Sequence, residues 1–171
     1  MNRLKFFLPK TILLTLYNSL VLPYLNYAIL NWGNSTSQCN KLFLIQKRAV
    51  RIITKTGFLA HTTPLFAELR VLKFNDLYNF NLGKFMYKYK RGLLPTNFKD
   101  LFTMSSSVHS YGTRGASKGD LYINFNRTSF SKNNLTSRGI LFWNNLNVEL
   151  KESRRIESFS RNLKRSIFQT Y

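Results

Sequence analysis

Residues 41–55 read "KLFLIQKRAVRIITK", and few folds can accommodate that order. At about 100° per residue, Lys41, Lys47, Arg48, Arg51 and Lys55 share roughly a third of a helix circumference. Leu42, Phe43, Ile45, Ala49, Val50, Ile52 and Ile53 fill the opposite half, and Leu44 strays from it. Such a helix has to bury one face in a core. Its other face carries charge that nothing nearby in the sequence balances, because no acid occurs before Glu68. One face asks for a core and the other for an anion.

The rest of the chain sharpens that demand. Lys and Arg number 26 against 7 Asp and Glu, a formal net charge of +19. With 44% hydrophobic and 15% aromatic residues, the composition is too apolar for a disordered chain, so the charge rides on a folded body. At 171 residues that body is one domain or two small ones. The excess charge repels itself, and a large polyanion is the usual reason to tolerate it. Solubility or a coding bias toward Lys, Asn, Phe and Ile is the competing account. The charge is nevertheless uneven: the acid-free first third holds Arg3, Lys5 and Lys10 besides the five cations above. The segment 149–171 sets six bases against Glu149, Glu152 and Glu157.

Cys39 stands alone, which excludes an internal disulfide and fits a reducing, intracellular compartment, nuclear or cytoplasmic. His61 and His109 are far apart and lack ligand-spaced partners, so neither a metal nor any other cofactor is expected.

Between Lys10 and Lys41 the chain carries no charge, and "TILLTLYNSLVLPYLNYAIL" approaches the length of a membrane span. Thr11, Thr15, Asn18, Ser19 and Asn26 interrupt it, and Pro23 would break its hydrogen-bond ladder. Leu13, Leu16, Tyr17, Leu20, Val21 and Tyr24 form a helical stripe suited to a bundle instead. A membrane-associated basic protein using residues 11–30 is therefore the second reading. A ribosomal-type basic RNA-binding module is the third.

Along the chain, a first helix is expected over 9–22, with Pro9 near its start and Pro23 ending or kinking it, and a further helical piece from Tyr24 to about Trp32. "GNSTSQ" at 33–38 is a turn. The basic helix follows, with Gly57 placed to end it. Thr63 and Pro64 read as N-cap and first residue of the next helix. "FNDLYNFNLGKFMYKYKR" predicts another, with Leu77, Phe80 (or Asn81), Lys84, Phe85 and Lys88 near helical spacing, stopped by Gly92 and Pro95. Composition changes at Met104 to a Ser-, Gly- and Asn-rich arm, in which "LYINF" alternates like a half-buried strand of a hairpin, with Leu121, Ile123 and Phe125 on one face. "SRGILFWNNL" predicts a short helix, and Ile156, Phe159, Leu163 and Ile167 mark the last one. The expected fold is mainly α: a thumb-like helical bundle over 1–60, a helical connector over 61–104, and over 105–171 an arm with a small β-hairpin and terminal helices.

Polymerases and nucleases converge two or three carboxylates on Mg²⁺. Here Asp76, Asp100 and Asp120 stand singly among cations, and Glu149 and Glu152 sit beside Lys151 and Arg154. With no phosphate-cradling glycine loop and no nucleophile motif, the chain is not expected to catalyse by itself. The candidate nucleic-acid contacts are Lys41, Lys47, Arg48, Arg51 and Lys55, then Lys84 and Lys88, and Arg114 and Arg127 on the arm. Tyr87 and Tyr89, set among cations, are candidates to stack bases. Trp32 and Trp143 read as core anchors.

Several blocks occur in a telling order: "LYNSLVLPYLNYAILNWGNS", "LIQKRAVRIIT", "MYKYKRGLLPTNF", "HSYGTR", "RGILFWNNL" and a final "SFSRNLKRSIF" stripe. That order, over about Lys10 to Phe168, resembles the region downstream of the palm in LINE-type, non-LTR retrotransposon reverse transcriptases, jockey-like elements among them. The resemblance implies that residues 10–57 correspond to the polymerase thumb, with the basic face lying along the phosphates of RNA or an RNA–DNA hybrid. It also implies a C-terminal fragment whose palm, with its paired catalytic aspartates, is expected before Met1. Where relatives often read W-N-x-L-P, this chain has Asn147 after "WNNL".

Overall fold

The computed structural model describes residues 3–108 and 119–171, and among them the chain is helical with no β-sheet. A short 3₁₀ turn at Leu4–Phe6 precedes α1 (Lys10–Leu16), a π-helical turn (Tyr17–Val21), α2 (Leu22–Asn26) and α3 (Ile29–Trp32). The basic helix is α4 (Thr36–Thr54), followed by α5 (Thr63–Leu69) and α6 (Phe74–Lys90). The second half has α7 (Ser105–Val108), α8 (Ser129–Lys132), α9 (Leu135–Asn144), α10 (Val148–Lys151) and α11 (Ile156–Phe168). No helix among the described residues is long and apolar enough to cross a membrane. Two compact units divide the chain, Met1–Tyr78 with Ser166–Tyr171, and Asn79–Arg165, so the boundaries fall inside α6 and α11.

Pro23 does not end the first helical run. A proline inside a helix has no N–H to donate, and its ring crowds the carbonyl four residues back. The turn just before it is widened to π geometry, where the Leu22 N–H reaches the Tyr17 carbonyl five residues earlier. The run stops instead at Tyr27, which is extended, and Ala28, at φ 48°. The π turn also shifts the buried face. Leu13 and Tyr17 are buried as expected, but Leu25 is next, while Leu20 and Tyr24 of the anticipated stripe are exposed.

The core of the first unit joins Leu13 and Tyr17 to Ala49, Val50 and Ile53 of α4, Phe66 and Leu69 of α5, and Val71. Phe43 of α4 stacks on Phe66, ring centroids 6.0 Å apart. Gln46 lies within this apolar setting, fully enclosed. Its Nε2 donates to the Tyr17 hydroxyl and to the Leu72 carbonyl, both at 2.9 Å. A buried amide needs such partners to repay its lost hydration. Trp32 stacks on Phe74 at 5.6 Å.

In the second unit, Leu82, Met86 and Tyr87 of α6 are buried, as are Ile140 and Trp143 of α9 and Phe159 and Leu163 of α11. Two glycines permit close approach. A Cβ on Gly83 would stand 2.6 Å from Leu163 Cδ2, and one on Gly139 would stand 2.7 Å from Met86 Sδ. Asn147 caps α10, its side chain accepting from the Glu149 N–H, and its φ of −58° is one a proline would also hold.

The expected β-hairpin is absent among the described residues. "LYINF" forms one antiparallel bridge, Leu121 to Met104, and no ladder. The carboxamide of Asn144 takes the place of a second strand: Oδ1 accepts from Leu121 N–H at 2.9 Å and Nδ2 donates to Leu121 O at 2.8 Å. With those groups satisfied by a side chain, nothing propagates the pairing. Leu121 is buried, but Ile123 and Phe125 of the supposed inner face are exposed.

Candidate nucleic-acid interface

Helix α4 is held by Ala49, Val50 and Ile53, which fixes the direction its cations face. The wheel misplaces one apolar position, Ile45, which is 56% exposed. Of the five cations, Lys41, Arg48 and Lys55 are exposed while Lys47 and Arg51 are half-buried. Lys47 lays its ammonium over the Phe43 ring, 4.4 Å from the centroid, one helical turn away. Arg51 donates its Nε to the Ala60 carbonyl at 2.9 Å and lies 5.9 Å from the Phe58 ring centroid. Arg51 thus ties down the loop after α4, and that bond leaves its two amino groups unused.

Lys55 is not on the helix. It takes φ 56° as the residue that reverses the chain, with its N–H on Ile52 O at 3.3 Å and the next N–H, from Thr56, on Arg51 O at 3.1 Å. This is the left-handed C-terminal cap in which glycine is usual, and it sits two residues before Gly57, where it was expected. Among the described residues, none of the five cations makes an ion pair. The first acid in the chain, Glu68, pairs with Lys10 instead.

Lys47 and Arg51 also line a cleft of about 540 Å³, with Phe43, His61, Lys73 and Asp76. Asp76 is engaged there: Tyr171 donates its hydroxyl to Oδ2 at 2.7 Å while accepting the Lys73 N–H at 2.7 Å. The Lys73 ammonium lies 3.9 Å from the Tyr171 ring centroid. Burial pushes the Tyr171 phenol well above its ordinary range, and the bond to Asp76 adds to this against the opposing Lys73 N–H. The phenol therefore stays a neutral donor.

The remaining predicted contacts belong to the second unit. Lys84 is half-buried with its ammonium 5.6 Å from the Phe80 centroid, and Lys88 and Arg127 are exposed. Arg114 falls outside the described residues. Tyr87 is no platform for bases. It is 1% exposed, stacked on Phe159 at 4.6 Å, with its hydroxyl on Ser153 O at 2.7 Å. Tyr89 packs edge-on against Phe102 and donates to Lys99 O and Phe102 O, both at 2.9 Å. The neighbouring Lys90 turns inward onto Gly119 O at 3.0 Å. Burial first, and Lys151 nearby, lower its pKa, with Asp120 opposing. Asp120 itself pairs with Lys151 at 3.0 Å.

Sequence reasoning does not foresee a groove lined by residues between 122 and 141, although two of its cations, Arg127 and Lys132, read in the sequence as plausible phosphate contacts. Its signal was present as cations and asparagines without a carboxylate, but without a periodic pattern. No family model, no curated protein and no solved structure matches the chain.

Proposed function

We propose that this chain holds nucleic acid by its phosphate backbone, with α4 as the principal contact. The observation that carries the reading is a row of cations along one side of α4 and its C-terminal cap, none of them ion-paired among the described residues. Backbone phosphates supply regularly spaced negative charge, which such a row meets without reading sequence. The ordered blocks that resemble non-LTR reverse transcriptases narrow the ligand to RNA or an RNA–DNA hybrid. On that likeness the chain is the grip of an RNA-directed DNA polymerase whose palm lies elsewhere, and it supplies no nucleotide-transfer chemistry of its own.

The test replaces Lys41, Lys47, Arg48 and Lys55 together by Gln and leaves Arg51 in place, because Arg51 also anchors the loop at Ala60. Gln keeps helix propensity and most of the side-chain stem. Affinity for duplex, hybrid and single strands, followed by fluorescence anisotropy, should fall by a similar factor on every sequence. The slope of log affinity against log salt should flatten by about 0.7 to 0.9 per lost phosphate contact. An unchanged slope, with circular dichroism showing the helix intact, would mean that this face meets only water.

A further inference from the structure

The overlooked groove has about 800 Å³ of space and is walled by Tyr122, Ile123, Phe125, Arg127, Lys132 and Arg138. Two features set it apart from an ordinary loop surface. The first is a set of side-chain hydrogen bonds that cross-links the loop. Asn126 Nδ2 donates to Ser137 Oγ at 2.9 Å and to Asn124 O at 3.1 Å, while Ser131 Oγ donates to Asn126 Oδ1. Ser137 Oγ in turn donates to Ser131 O at 2.9 Å. The loop is thereby clamped to the start of α9. The second is that this clamped loop displays Phe125, 92% exposed and contributing nothing to the core.

A large ring held out in water beside cations has a restricted set of suitable ligands. No carboxylate lines the groove, and Arg127 and Lys132 are both exposed, so the ligand carries negative charge. Asn124 also lines it, and an amide both donates and accepts hydrogen bonds, as base edges do. Aromatic faces beside a basic track are how proteins hold unpaired bases. A base inside a duplex is already stacked and cannot use such a ring.

We propose that this groove is a single-strand site, in which an unpaired base stacks on Phe125 while the adjoining phosphates meet Arg127 and Lys132. It shares with the preceding reading only the class of ligand. Its residues lie in the other compact unit, so either can fail without the other.

The experiment uses the full chain with Phe125→Ala and Phe125→Trp, a ten-nucleotide oligouridylate, and an RNA duplex. Phe125→Ala should weaken oligouridylate binding by roughly 5- to 140-fold, the range given by losing one stacked base. Its salt slope and its duplex affinity should stay as in the parent, and Phe125→Trp should bind the oligouridylate at least as well as the parent. Arg127→Gln with Lys132→Gln should instead flatten the salt slope on single strands. Because Phe125 packs against no core, its replacement leaves folding intact, and circular dichroism verifies this. The proposal is overturned if Phe125→Ala binds the oligouridylate like the parent, or loses single strand and duplex equally.

Discussion

Lys55 occupies a backbone conformation that costs a side-chain-bearing residue roughly 1–2 kcal/mol. Arg70, at φ 52°, makes the same reversal after α5, and Gly92, at φ 65°, makes it after α6. Gly92 shows what the position prefers. A cation near the last carbonyls of a helix recovers part of the cost through the helix dipole. Lys55→Gly should therefore stabilise the protein by about 1 kcal/mol in denaturant unfolding. The same variant should bind nucleic acid with a flatter salt slope if Lys55 meets a phosphate. A gain in stability with no change in slope would remove Lys55 from the interface. The charge of Lys55 was legible in the sequence, but its geometry was not, because Gly57 carried the stronger stop signal. Gln46 was equally silent: on the wheel it interrupts an apolar half, and only the Tyr17 hydroxyl and Leu72 carbonyl explain it.

At the scale of elements, α4 and α11 follow from periodicity, because each presents an apolar stripe whose central positions are buried, Val50 and Ile53 in α4 and Phe159 and Leu163 in α11. Helix α6 forms as expected but buries Leu82, Met86 and Tyr87 rather than Phe80, Lys84, Phe85 and Lys88. Periodicity fails where the number of residues per turn changes. The π turn at Tyr17–Val21 takes up one extra residue, so the inward position moves from Tyr24 to Leu25. Leu25→Ala should cost about 2–4 kcal/mol, the usual range for a buried leucine. Tyr24→Ala, at an 81% exposed position, should change stability by less than about 0.5 kcal/mol. Urea titrations of the two variants decide the matter, and the reverse ranking would mean an unbroken α-helix through Pro23. The hairpin failed for another reason. Alternation describes a strand's faces but not its partner, and here a single carboxamide, Asn144, occupies the partner's place.

For the whole molecule, a net charge of +19 is the sequence's own argument for a polyanionic partner. Composition cannot say which cations are committed internally: Lys90 and Lys151 are, whereas Lys41, Arg48 and Lys55 are not. The few acids are dispersed as well. Glu68 pairs with Lys10, Asp120 with Lys151, and Asp76 accepts from Tyr171. Among the described residues no three His, Cys, Asp or Glu side chains gather as a metal site would require. Purified with primer, template and Mg²⁺, the chain should incorporate no nucleotide. Extension that survives repurification and disappears with Asp76→Asn or Asp120→Asn would reverse that assignment. The π turn, lastly, governs how this chain aligns with any other. A relative that lacks the widened turn will be one residue shorter there, with no loop to absorb the difference. An alignment that forbids a gap inside the helix will then set Leu25 and every position beyond it against the wrong neighbour.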